Sequence, residues 1–247
     1  MLKSILVYFT FLWLPSSSES IPPVLQRNVM KSGFHRDLVT QLTVPASLIP
    51  DTSPGSDVQC FLMFTETIPS GAYVDPDQIN SLKPYGGPDV LLSSPVDVEK
   101  PEIESTEFQG HVFSNLSRVG DKLTSSYRLP VHLRYHGISD QDYTTVTFTN
   151  PEVSVRCVNK KLGMPHYGYH GDIVKQKSEM CSSSSKILCD WIVIHYDAEK
   201  KDISVEVPVG KVEHYILVTV GTMVTTLSAC IFLVYQTLCS GKHVKVS

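Results

Sequence analysis

Polar and apolar residues alternate along most of this chain with a period of two, the repeat of a strand with one buried and one wet face. From Phe34 to Val44 the apolar set Phe34, Leu38, Leu42 and Val44 shares one face, with His35, Asp37, Gln41 and Thr43 mostly opposite. Pro45 and Pro50 end the pattern, and Asp51 to Ser56 reads as a turn. Val58 to Thr65 is almost continuously apolar, which predicts a strand covered on both faces. Ala72 to Val74, Val90 to Leu92, Phe108 to Phe113, Thr144 to Thr149, Val153 to Val158 and Trp191 to Tyr196 are further short strands. Asp75-Pro76-Asp77 caps a brief helical turn through Ser81. Between Tyr127 and His136 every odd position is apolar or aromatic and every even one is polar or Pro. Pro130 has no N–H to give a neighbour, so this strand lies at an edge or a bulge. Ile203, Val205, Val207 and Val209 alternate in the last strand. So many short strands with turn signals between them predict an all-β domain, a β-sandwich.

Two unbroken apolar runs set the topology. Tyr215 to Leu238 holds no Asp, Glu, Lys, Arg or His and as a helix is about 36 Å long, enough to cross a bilayer. Lys242, His243 and Lys245 follow it, so the tail is expected on the cytoplasmic side. The first 20 residues combine Lys3, the apolar run from Ile5 to Leu14 and a Ser cluster, the pattern of a secretory signal peptide. The expected organisation is type I: signal at 1–20, luminal β-rich domain at 21–210, juxtamembrane segment and transmembrane helix at 211–238, cytoplasmic tail at 239–247. The last strand runs almost directly into the helix, so the domain is expected close to the bilayer.

The formal net charge is −4, which offers no basic face for nucleic acid. Of six cysteines, Cys60, Cys157, Cys181 and Cys189 precede the helix. In an exported domain an even number implies disulfides. Four cysteines allow three pairings; the favoured one joins Cys181 to Cys189 across a short loop and Cys60 to Cys157 between two strand-like runs. Asn115-Leu116-Ser117 is an N-glycosylation sequon.

No constellation for catalysis emerges. His132 and His136 would chelate a metal on a helix, but four strand residues span about 13 Å. His166 and His170 fall in a loop without the further ligands a structural site needs. Neither a nucleophile elbow nor a phosphate-binding glycine loop is present. Catalytic, metal and cofactor roles are therefore assigned to no residue. In the membrane helix Gly221, Thr225 and Ala229 recur every four residues, a small-residue stripe of the kind that lets two helices approach closely.

The run Leu129 to His136, LPVHLRYH, resembles the signature of the PIG-X family. SGFHRDL (Ser32 to Leu38), IPSGAYVDP (Ile68 to Pro76), TNPEV (Thr149 to Val153) and PVG (Pro208 to Gly210) fit the same family in the same order. The resemblance covers nearly the whole luminal region and its topology. It implies a non-catalytic endoplasmic reticulum subunit that binds and stabilises PIG-M, the multi-span catalytic subunit of glycosylphosphatidylinositol (GPI) mannosyltransferase I, which adds the first mannose to the GPI precursor. Arg128, His132, Arg134 and His136 on the polar face of the signature strand are then expected to contact that partner, with the Gly221, Thr225, Ala229 stripe packing on one of its helices. The tail resembles a dilysine retrieval signal imperfectly, so retention through the partner is an equal expectation. The alternative from another class is a cell-surface adhesion or receptor protein with one Ig-like domain.

Overall fold

The computed structural model describes residues 21–52, 55–166 and 168–240. The expected signal peptide and most of the expected tail, with its lysines, lie outside them. In chain order the elements are β1 (Val24–Met30), β2 (His35–Pro45), β3 (Val58–Ile68), β4 (Ala72–Tyr73), α1 (Pro76–Leu82), β5 (Asp89–Leu92), β6 (Phe108–Asn115), β7 (Ser117–Val119) and β8 (Lys122–Leu133). There follow β9 (Tyr143–Thr149), β10 (Glu152–Asn159), β11 (Pro165–His166), β12 (Ile173–Met180), β13 (Leu188–Ile194), β14 (Asp197–Ala198), β15 (Asp202–Pro208) and α2 (Tyr215–Ser240). Short 3-10 turns link several of them. Asp75 caps α1 by accepting from the Asp77 and Gln78 N–H groups.

One sheet has the order β14-β1-β2-β8-β4, with β7 also on β8; a second has the order β12-β13-β10-β3-β6-β5, with β11 on β10; β15 and β9 form a separate ribbon. Leu38, Leu42 and Leu129 of the first sheet, Leu62, Phe64 and Val155 of the second and Phe148 and Val207 of the ribbon share one core. The strand β3 is covered on both faces, as its continuous apolar run requires. Leu62 and Phe64 face the main core, while Met63 faces a smaller cluster with Trp191 and Cys189 on the outside of the second sheet. The structure joins Cys181 to Cys189 beside that cluster and Cys60 to Cys157 between directly paired positions of β3 and β10.

Two of the longer strands escape a reading by hydrophobic pattern. In β1 the inward position between Leu25 and Val29 is Arg27, a charge where the alternation calls for an apolar residue. In β12 the middle five residues, Lys175 to Glu179, are all polar, and the strand is an exposed outer one.

Arg27 is tolerated inside because Glu66 of β3 meets it across the sheets. Its guanidinium donates to both carboxylate oxygens at 3.0 and 2.9 Å, and the two side chains are 1% and 0% exposed. The Tyr127 hydroxyl of β8 donates to the same carboxylate, and Arg27 also donates to the Thr149 carbonyl of β9. Burial pushes the Glu66 carboxyl up, against the Arg27 charge and the Tyr127 hydrogen bond.

Breaking this pair strands a charge in the core. Arg27→Ala is expected to cost about 3–5 kcal/mol of unfolding free energy. Replacing both partners with apolar residues, as in Arg27→Met with Glu66→Leu, is expected to cost clearly less than that single change. Urea unfolding followed by the fluorescence of Trp191 measures both.

Candidate functional site

The signature run forms the second half of β8. Here β8 pairs with β2 along its whole length, His35 opposite His132 and Asp37 opposite Pro130. The Leu133 N–H donates to the Phe34 carbonyl. In an antiparallel ladder this means the odd residues of β8 bond β2 and the even ones point their backbone groups the other way. Among the described residues that second side is paired only at its ends, by β7 at residues 122–124 and by β4 at 132–133. Ser126, Arg128 and Pro130 lie between, on a bare edge. Pro130 thus sits at a position whose missing N–H would have faced the open side, and no ladder bond is lost.

A groove of about 710 Å³ runs along this bare edge. Arg128 and Pro130 line it from β8, His35 and Asp37 from the outer side of β2, Lys31 from the turn before β2, and Tyr85 from the turn after α1. Asp37 is buried there, its side chain 2% exposed, with Lys31 at 3.0 Å, His35 at 3.7 Å and Arg128 at 3.8 Å. Lys31 reaches it from the β1–β2 turn, where its φ is 69°. His132 stacks on Tyr73 with ring centroids 5.0 Å apart and bonds Gln78 of α1 at 3.0 Å. Burial, reinforced by His35, lowers the pKa of His132.

The four residues expected on one polar face do not stay together. The strand stops at Leu133 and the alternation inverts there: Arg134 is 6% exposed and Tyr135 75%. Arg134 lies over the Tyr73 ring at 4.7 Å and donates to the Lys100 carbonyl. A buried guanidinium needs such partners, and the bend after Leu133 supplies them. Tyr135 turns outward and packs on Phe34 at 5.1 Å. His136 is half-buried with its Nδ1 on the Arg134 carbonyl at 2.9 Å. Its ring passes so close to Gly71 that a Cβ there would stand 2.9 Å from Nε2, which explains the glycine in IPSGAYVDP. Arg128 and His132 remain on the outer side, joined by Lys31, His35 and Asp37. Pattern reading leaves these last three out of the site, although His35 and Asp37 lie within SGFHRDL; only the β2–β8 register reveals the association.

Asn115 ends β6 exposed and also lines the groove. Among the described residues no cluster of three or more His, Cys, Asp or Glu side chains could hold a metal. His166 instead bonds Asp51 at 2.7 Å.

The helix α2 with its lead-in turn, Val212 to Cys239, is long and apolar enough to span a membrane. Nothing among the described residues covers it: Gly221, Thr225 and Ala229 are all exposed, and a Cβ at Gly221 would meet no atom within 4 Å. The Thr225 hydroxyl donates back to the Gly221 and Thr222 carbonyls, both at 2.9 Å.

These features define a class: a disulfide-bonded, two-sheet β domain followed by a single helix able to cross a membrane, with a polar groove beside one bare strand edge. Residues 31–238 match the model of the PIG-X / PBN1 family, and the chain belongs to that family. A human protein named "GPI alpha-1,4-mannosyltransferase I, stabilizing subunit" is 27% identical over 215 residues, covering 85% of this chain and 78% of the relative. Rat and mouse proteins of the same name are 28% and 27% identical over 207 residues, with 83% of this chain covered and 77% and 76% of theirs. No solved structure matches.

His132 and His111 both have a pKa lowered from 6.5, by burial first. The unfolded chain then binds their protons before the folded one does, so their contribution is complete above pH 6.5 and lost as the pH falls below it. A melting temperature that falls on acidification below that point, less steeply in His132→Gln, is the expected result of a thermal scan against pH.

Proposed function

We propose that this chain is the non-catalytic stabilising subunit of GPI mannosyltransferase I. It holds the catalytic subunit, a PIG-M-like multi-span mannosyltransferase, in the endoplasmic reticulum membrane. The observation that carries this is the family match across residues 31–238, with mammalian relatives of that name aligned over most of both chains. The relatives favour this reading over a surface receptor. In this reading the β domain is luminal and α2 crosses once, in type I orientation. The two disulfides suit an oxidising lumen, and Asn115 carries the N-glycan of its sequon.

Two surfaces are assigned to the partner. Arg128 and His132, with Lys31, form a basic and titratable rim on the groove beside the bare edge of β8, suited to an acidic or polar luminal loop. Arg134 and His136 support this rim from beneath, through Tyr73 and Gly71. In the membrane, the stripe Gly221, Thr225, Ala229 receives a transferase helix. Because the Thr225 hydroxyl is already bonded within α2, close van der Waals contact over Gly221 is the main contribution.

Cells lacking their own stabilising subunit test the function. Expression of this chain is expected to restore both surface GPI-anchored proteins and the level of the catalytic subunit; recovery of neither, with the chain present in the membrane, would refute it. Gly221→Ile separates the helix contact from folding. A Cβ at Gly221 meets no atom of the described residues within 4 Å, so its own level should hold while co-purified transferase falls. Lys31→Ala with Arg128→Ala should lower co-purification in the same way.

A further inference from the structure

The segment between β8 and β9 holds exposed apolar side chains that the core does not use. Ile138 is 56% exposed. It stands beside Gly210, where a Cβ would lie 3.3 Å from its Cγ2. The segment is fastened to the chain just ahead of α2. Ser139 donates to the Gly210 carbonyl at 2.9 Å and accepts from the Val212 N–H at 3.3 Å. The Val209 N–H donates to the Asp142 carbonyl at 3.0 Å, and the Lys211 ammonium meets the Asp142 carboxylate at 2.8 Å.

The height of this attachment follows from the helix. Tyr215 opens the apolar stretch of α2 and Tyr235 lies three residues before its end at Leu238. Twenty residues of helix rise about 30 Å, the thickness of the hydrocarbon core, so the two tyrosines fall at its two boundaries, where tyrosine is enriched. The three-residue 3-10 turn Val212–His214 leads into Tyr215 and rises about 6 Å. The headgroup layer on each side is about 5–7.5 Å deep, so with α2 upright in a bilayer Ser139, bonded to Val212, falls at headgroup height. Ile138 and the half-exposed Val212 then continue the apolar surface of the helix sideways along the membrane.

We propose that the loop Gly137–Asp142 is a second membrane contact, with Ile138 seated in the bilayer interface and the domain held at a fixed tilt by loop and helix together. The occupant is lipid because the tether leaves the loop no greater height, and Lys211 pairs the Asp142 carboxylate, which leaves Asp140 as the loop's exposed acid. The proposal is independent of the partner assigned above.

The test uses the full chain in phosphatidylcholine vesicles, with Ile138→Trp as reporter. Ile138 is exposed and outside any strand, so the substitution leaves the ladders intact. Trp191, fully buried, and Trp13 of the expected signal segment give the wild-type background, which is subtracted. Brominated phosphatidylcholine is expected to remove the added tryptophan's emission, while aqueous iodide leaves it unchanged. Quenching by iodide and not by bromolipid would overturn the proposal in favour of a solvated loop. Emission reached by neither quencher would overturn it in favour of contact with protein.

Discussion

The buried contact between Arg27 and Glu66 constrains more of this domain than any apolar cluster does. One guanidinium on β1 reaches Glu66 in the second sheet and the Thr149 carbonyl in the ribbon, and Tyr127 of β8 completes the carboxylate. Each of the three β layers therefore contributes a group to one polar network. A one-residue slip of β1 would turn Arg27 to the outer face and bring Gln26 or Asn28 inward, leaving Glu66 without its counter-charge. A buried pair of this kind adds little net stability over well-packed apolar residues. Its effect is selective: other alignments of the layers leave a charge unpaired.

The disulfides act on different parts of the problem. Cys60 and Cys157 are 97 residues apart in sequence but directly opposite in the β3–β10 ladder. In the chain-entropy account a closure of that length is worth on the order of 4–5 kcal/mol against the unfolded chain. Cys181 and Cys189 close a short hairpin between β12 and β13 and shield Met63 and Trp191 on the outer face of the second sheet. Without that cover, the continuous apolar run of β3 would expose one face to water.

Geometry divides the signature strand between support and display. Up to Leu133 the residues keep the strand alternation and present Arg128 and His132 outward. After it the chain bends, and Arg134 becomes an internal strut against Tyr73. The bare edge from Ser126 to Pro130 is short and interrupted by a residue without an N–H, which discourages pairing with stray strands. Such an edge suits side-chain recognition across the groove better than the addition of a further strand.

The strand content, the twice-covered β3, the capped α1 and the membrane-length helix are legible from one sequence because each depends on local periodicity or a local cap. The family, too, was readable in short runs such as LPVHLRYH and IPSGAYVDP. What local pattern could not supply is pairing between distant strands. The strand β1 went unread because its inward arginine is acceptable only with Glu66 across the core. Lys31, His35 and Asp37 join Arg128 only through the β2–β8 register, and Arg134 leaves the polar face only because Tyr73 and the Lys100 carbonyl wait for it inside. Sequence alone determined which segments could be strands and which one could cross a membrane; tertiary structure decided which charges are buried and which are offered, since that depends on partners brought together from far along the chain.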